Sequence, residues 1–396
     1  MQLKKINKIA VIGSGISGLS AAYYLSKKYK VDLFEKQDHF GGHSYTVDVE
    51  YDKQLKKKIA TDVGFIVFNE QNYPNLIKFF EENKIKTEKS NMSFSVKVIE
   101  NNLEYCGKGL NGIFSNRKNI LNFKFVKMFF EIINFYNENS KYTSLEKEIT
   151  LGEYLKNKKL SNYFINYHII PMVSAIWSMP PYEASLMPLK FFIKFFQNHG
   201  LFKLKKRPQW YTVANRSKTY VDTILKRISG EYYKNYQINR IERNENNIKI
   251  FYGGKDEFFN YDKVILATHA DDALSLIHKP TLDEKRILSN FQYRDNLAII
   301  HFDEKVMPKN KNNWCSWNSC VLDSNSKKSS VTYWLNLLQN LKIDKNIFLT
   351  LNPVIEIDRN KIFKEIKFKH PYYDMNALEN QKNLDLIQNK NNILFC

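Results

Sequence analysis

The sequence predicts an α/β protein: a Rossmann-like FAD-binding domain interleaved with a substrate domain made of a helical cap and an antiparallel sheet. Three observations lead there. Residues 8–42 hold a strand, a glycine turn, a helix, a second strand and an acid, in that order. Residues 73–210 carry apolar side chains at helical spacing, and residues 291–370 alternate as strands do.

Lys8-Ile9-Ala10-Val11-Ile12 reads as a short buried strand, and Gly13-Ser14-Gly15-Ile16-Ser17-Gly18 follows at once. Residues 19–27 read as a helix, and residues 31–34 as a second strand ending on Glu35. Each residue type has a physical task. Gly13 allows a tight turn, Gly15 lets backbone amides approach a pyrophosphate, and Gly18 lets the helix pack close to the sheet. The helix N-terminus adds unpaired N–H groups and partial positive charge. Glu35 follows the first glycine by roughly twenty positions, where a carboxylate accepts from ribose hydroxyls. Ser14, Ser17 and Lys36 belong to the same turns and complete this candidate set. A signal peptide is the competing reading, because residues 9–25 are uncharged and follow Lys4, Lys5 and Lys8. The stretch holds three glycines, falls short of the ~20 apolar residues of a membrane span and lacks a small-residue cleavage site, so it reads as cytoplasmic core.

Gly41-Gly42-His43 lies just beyond the second strand. Alone, a Gly-Gly pair is an ordinary turn. Beside the first motif it supplies a second backbone loop near the pyrophosphate and favours FAD over NAD. Further along, residues 76–82, 123–136 and 186–197 show helical spacing. Residues 236–241 pair naturally with 247–251 across a polar turn, and residues 262–267 form a buried strand ending at Thr268-His269. Residues 297–302, 331–335 and 347–351 read as strands of a sheet flooring a substrate cavity. The expected division is residues 1–72, 211–290 and 371–396 for the FAD-binding domain, and residues 73–210 and 291–370 for the substrate and cap domain.

The chain of 396 residues is long enough for two domains with real cores. Cys106, Cys315, Cys320 and Cys396 show no zinc spacing, and reduced thiols in the cytoplasm are the simple reading. No metal site is expected. The net charge of +19 raises nucleic acid as a partner, but the lysines are scattered and no recognition motif accompanies them. Lys56-Lys57-Lys58 and the run from Lys203 to Arg207 read as solvated faces. Attraction to an anionic membrane surface, at the inner face, is the alternative. Residues 186–202 could serve it, or could form a buried cap helix.

The chain resembles the FAD-dependent amine-oxidase superfamily, which includes protoporphyrinogen oxidases and phytoene-type desaturases. Residues 11–19 and 34–46 carry the superfamily likeness. Residues 61–69, 91–96, 175–178, 195–200, 207–210, 264–271 and 332–336 resemble a bacterial branch described as NAD/FAD-binding oxidoreductases. The resemblance implies FAD as cofactor, adds Gly64 and His43 to the cofactor contacts and places the backbone near Ile238 against the adenine. It differs in two places. The branch has glycine in the turn that reads Thr212-Val213-Ala214-Asn215-Arg216-Ser217 here, so an altered turn is expected. In the family the strand ending here at Cys396 continues into a glycine-rich loop and a final helix aimed at the flavin, so the chain reads as a truncated member or a natural short form. That helix dipole would contribute about 0.3–2 kcal/mol.

The resemblance implies hydride removal from a C–H bond of a small molecule, with the flavin carrying the chemistry. No lysine can be matched to the one amine oxidases often place near the reactive flavin nitrogen. His199, His269 and His301 stand in family-like contexts, with His199 and His301 the catalytic candidates; each is as readily a structural histidine. Trp177, Trp210, Trp314, Trp317, Tyr333 and Trp334 form an aromatic set that is either core or the lining of an apolar pocket, with Trp177, Trp210, Tyr333 and Trp334 as the pocket candidates. An apolar or amphipathic substrate, lipid or amine, fits that set. An NAD(P)-dependent dehydrogenase and a flavin-binding protein without turnover are the alternatives.

Overall fold

β1 (Lys8–Ile12) lies at the centre of a five-stranded parallel sheet. The structure is a computed structural model that describes residues 6–52, 54–142, 148–244, 247–254, 257–323 and 328–396. β2 (Lys30–Phe34) pairs along one side of β1, Ile12 opposite Phe34, and Lys263–Leu266 pairs along the other, Ile12 opposite Leu266. Tyr232–Tyr233 and Ile393–Phe395 occupy the edges. Parallel strands covered on both faces read as unbroken apolar runs, which is how these appear in the sequence. Ile9, Val11, Val31 and Leu33 pack against Leu19, Ala22 and Tyr23 of α1 (Ile16–Ser26). Ala10, Ile12 and Phe34 pack on the opposite face against Ile238, Ile241, Ile248 and Ile250.

Those isoleucines come from a three-stranded antiparallel sheet, Ile238–Arg243, Ile248–Tyr252 and Phe258–Tyr261. The expected pair is present, with Ile241 opposite Ile250, and the third strand adds to it. Residues 245 and 246 of the connecting turn lie outside the described residues, as do Lys4 and Lys5. A buried carboxylate ties the two sheets together. Asp32 accepts from the Tyr261 hydroxyl at 2.7 Å and the Glu231 amide at 2.9 Å, and pairs with Lys8 Nζ at 3.1 Å. Burial pushes its pKa up, and these partners outweigh that push and hold it below the usual carboxylate range.

A seven-stranded sheet runs in the order Ile362–Tyr372, Gln292–His301, Phe348–Leu351, Ser329–Trp334, Trp317–Val321, Phe94–Val98, Leu103–Cys106. Neighbours are antiparallel except Trp317–Val321 and Phe94–Val98. The last two strands come from a segment read as mostly helical. Their residues are nearly all buried, so they lack the alternation that marks a half-exposed strand. Helix Pro74–Glu82 also departs from the cap. Its Phe79 packs on Tyr23 at 5.6 Å between ring centres, which places the helix on the nucleotide-binding sheet.

The cap proper begins at helix Phe123–Asn139, whose buried Phe125, Met128, Ile132 and Phe135 recur every three or four residues. Leu151–Asn157, Ile170–Trp177, Pro181–Leu186 and Leu189–Asn198 complete it. Leu189–Asn198 buries Leu189, Phe192, Ile193 and Phe196, so the segment weighed as membrane-facing is a core helix. His168 sits between the hydroxyls of Tyr105 and Tyr136, each at 2.9 Å, and burial lowers its pKa to about 3. All four cysteines are free thiols. No described helix is long and apolar enough to cross a membrane.

Candidate nucleotide cleft and adjoining apolar cavity

Ile12 at the carboxyl end of β1, Gly13 to Ser17 at the start of α1, and Ala267 and Thr268 just after Lys263–Leu266 line a cleft of about 1550 Å³. Ligands of open α/β sheets bind at such ends. Gly13 has φ +99°, and a Cβ there would lie 2.4 Å from the Ala267 carbonyl oxygen. A Cβ on Gly18 would lie 1.9 Å from the Gly13 carbonyl oxygen. Gly15 meets nothing within 4 Å, so its face is open to the cleft. No side chain caps α1 and no acid sits in its first turn, which leaves its leading amides and positive dipole end for an anion. The tight turn expected at Gly13 and the close packing expected at Gly18 are both present.

Ser14 joins three segments. Its amide and hydroxyl donate to Glu35 Oε2 at 3.1 and 2.6 Å, and its Oγ accepts from the Gly41 amide at 3.0 Å. Glu35 Oε1 accepts from the Gln37 amide at 2.9 Å. Two carboxylate oxygens have about four acceptor sites, so the carboxylate retains capacity for a ribose hydroxyl. Gly41 and Gly42 both have positive φ, and a Cβ on Gly42 would sit 3.1 Å from Gly15 Cα, so the second glycine loop lies against the first. Ser17, Lys36, His43 and Ile238 also line the cleft. Lys36 Nζ pairs with Asp272 at 3.0 Å. Gly18 and Gly64 line no part of it. Gly64 is a packing glycine, since a Cβ there would lie 2.2 Å from the His43 carbonyl oxygen.

A second cavity of about 350 Å³ adjoins the cleft, and Phe65, Tyr73 and Phe368 line both. Its walls include Trp177, Trp210, Tyr333 and His199. Trp334 lies elsewhere: successive strand residues face opposite sides, and Trp334 packs on Trp314 at 5.4 Å and donates to Asn346 at 3.0 Å. His301 also lies outside both cavities. Its Nε2 meets Thr350 Oγ1 at 2.7 Å and its Nδ1 accepts from the Asp303 amide at 3.1 Å, which makes it a satisfied structural histidine. His199 stacks on Phe195 at 3.9 Å, and its Nδ1–H donates to the Phe195 carbonyl at 2.9 Å. Its Nε2 is therefore the lone-pair nitrogen, and burial keeps the ring neutral by lowering its pKa.

The structure adds a histidine cluster at the junction. His43 lies 5.2 Å from Phe368, 5.4 Å from His370 and 6.4 Å from His269, ring centre to ring centre. Burial first, then mutual repulsion, lowers His43 and brings His370 to about 4; burial also lowers His269. His43 Nε2 is buried without a hydrogen-bond partner among the described residues. His370 and Phe368 were missed by the sequence reading, yet their signal was present: Ile366, Phe368 and His370 alternate with exposed Lys367 and Lys369. His269, Asp271 and Asp272 come within cation-binding range of one another, but Lys369 and Lys36 neutralise the two acids.

Residues 11–82 match the model of an NAD(P)-binding Rossmann-like domain. Human prenylcysteine oxidase 1 is 28% identical over 197 residues, 42% of this chain and 37% of that protein. The chain therefore spans well under half the length of the curated relatives it matches. Among solved structures, cyclohexylamine oxidase from Brevibacterium oxydans IH-35A superposes with a TM-score of 0.65 at 12% identity, covering 99% of this chain and 93% of that one. A CLA-producing fatty acid isomerase from P. acnes superposes with a TM-score of 0.61 at 14% identity, covering 100% of this chain and 94% of that one.

Proposed function

We propose that this chain, which has the fold of the FAD-dependent amine-oxidase superfamily, is an FAD-dependent oxidoreductase that removes a hydride from a C–H bond of an apolar or amphipathic small molecule. The observation that carries this reading is the wall of Phe65, Tyr73 and Phe368, shared by a dinucleotide-sized cleft and an aromatic cavity. FAD, when bound, supplies the ring that accepts the hydride and passes electrons to oxygen or another acceptor.

The chain's own residues do the rest. The amides at the start of α1 and the open face of Gly15 hold a pyrophosphate, and Glu35 accepts from a ribose hydroxyl. Trp177, Trp210, Trp317 and Tyr333 exclude water and orient an apolar body. The indole N–H of Trp317 is buried without a partner among the described residues and can donate to a polar group on that body. His199 borders the same cavity, and its Nε2 lone pair can accept a proton there. The names of the relative and the neighbours span a prenylcysteine, an alicyclic amine and a fatty acid, whose shared feature is an apolar body.

The test is anaerobic mixing of the FAD-loaded protein with prenyl thioethers, unsaturated fatty acids and alicyclic amines. Bleaching of the flavin band by one class supports the reading. A flavin that no class reduces, but that dithionite does, leaves a binding protein without turnover. The match of residues 11–82 to an NAD(P)-binding domain supports a dehydrogenase as second reading; tight retention of flavin through purification excludes it.

A further inference from the structure

Leu110, Ile120, Leu121, Phe123 and Phe130 are each more than half exposed, Leu121 at 89% and Phe123 at 81%. Single exposed apolar side chains are ordinary; several on one short stretch are not. They sit on helix Gly109–Ile113, turn Arg117–Leu121 and the first half of helix Phe123–Asn139. This tip is built, not frayed. Asn116 accepts from the Lys118 amide at 3.1 Å and Asn122 from the Phe125 amide at 3.2 Å. Behind the exposed row, Phe114 packs on Phe125 at 5.8 Å and on Phe129 at 5.4 Å, and Phe125 packs on Tyr105 at 5.7 Å.

The charges within this stretch are all positive, and the flanking Glu104 and Glu131 are engaged by the amides of Lys309, Asn310 and Ser161. Residues 105–130 contain Lys108, Arg117, Lys118, Lys124 and Lys127 and no acid. Arg117, Lys118, Lys124 and Lys127 are exposed and make no ion pair with the described residues. Lysine is depleted from the cores of protein–protein interfaces, whereas leucine and phenylalanine interleaved with lysine suit the boundary between headgroups and acyl chains. We infer that this tip seats the protein on an anionic lipid bilayer, with Leu121 and Phe123 entering the acyl boundary and the lysines meeting the headgroups. The inference is independent of the flavin reading, and it places membrane contact away from the buried helix Leu189–Asn198.

The test is flotation of the full chain with vesicles of phosphatidylcholine containing about one-third phosphatidylserine, against phosphatidylcholine alone. The wild type should float with the anionic vesicles. The Leu121→Ser/Phe123→Ser variant should lose roughly tenfold or more in partitioning at every salt concentration. The Lys118→Gln/Lys124→Gln/Lys127→Gln variant should lose the preference for phosphatidylserine and most of the salt dependence. Both variants change exposed side chains, so their melting temperatures should match the wild type. The inference is overturned if the wild type stays unbound. It is overturned equally if the serine variant floats as well as the wild type, since net charge alone would then explain binding. Light scattering that shows a dimer dissolved by the serine variant would assign the tip to a second copy and also overturn it.

Discussion

Gly15 and Gly18 sit three residues apart and should behave as opposites. A methyl group on Gly15, whose φ is −63°, meets nothing within 4 Å, so Gly15→Ala should melt like the wild type. It should weaken FAD binding by about tenfold or more, since about 1.4 kcal/mol of lost amide–pyrophosphate approach corresponds to that factor. A methyl on Gly18 would lie 1.9 Å from a backbone oxygen, so Gly18→Ala should cost about 1–3 kcal/mol or more in thermal or urea unfolding. Equal melting of the two variants would contradict the assignment of Gly15 to the ligand and Gly18 to packing. The close approaches of Gly13 and Gly18 to neighbouring backbone were legible in the sequence from the spacing of the motif. Gly64 was not, because its role depends on the His43 carbonyl, which only the fold brings near. His301 and Trp334 misled for a related reason: family-like context says nothing about which side of a strand a residue faces.

At the scale of elements, the turn before helix Lys218–Leu225 departs from the expected glycine pattern, and the backbone shows how. Asn215 has φ +61° and Arg216 φ +77°, so two side-chain-bearing residues hold left-handed conformations. Arg216 is retained there by its Nε–H donating to the Ala60 carbonyl at 2.8 Å. Buried Asp62 accepts from the Ser217 amide at 2.8 Å, which fixes the helix start. Asn215→Gly should therefore stabilise the protein by up to about 1 kcal/mol, read from urea unfolding; a loss of stability would show that the asparagine side chain holds the turn. Helix Phe123–Asn139 was readable from its periodicity, and Lys263–Leu266 from its apolar run Val264-Ile265-Leu266. Phe94–Val98 and Leu103–Cys106 were not, because strands covered on both faces lose the period of two.

Across the whole molecule, burial holds several imidazoles neutral. It lowers His168 to about 3 and His301 to about 4; burial together with the charges of His43 and His269 brings His370 to about 4, against an ordinary 6.5. The unfolded chain therefore binds protons first as pH falls, so this stability is full above pH 6.5 and drains as pH drops toward about 4. Melting temperature should fall steadily across that window, and His370→Phe should flatten part of the slope; a flat profile would contradict neutral burial. The central claim joins the nucleotide cleft to the aromatic cavity through a bound flavin. The visible absorbance spectrum of the purified chain, supplied with FAD and then desalted, tests it most directly. We expect a yellow protein with the two-banded flavin spectrum that releases FAD on denaturation. A colourless protein whose tryptophan fluorescence responds to NAD(P)H but not to FAD would contradict the account.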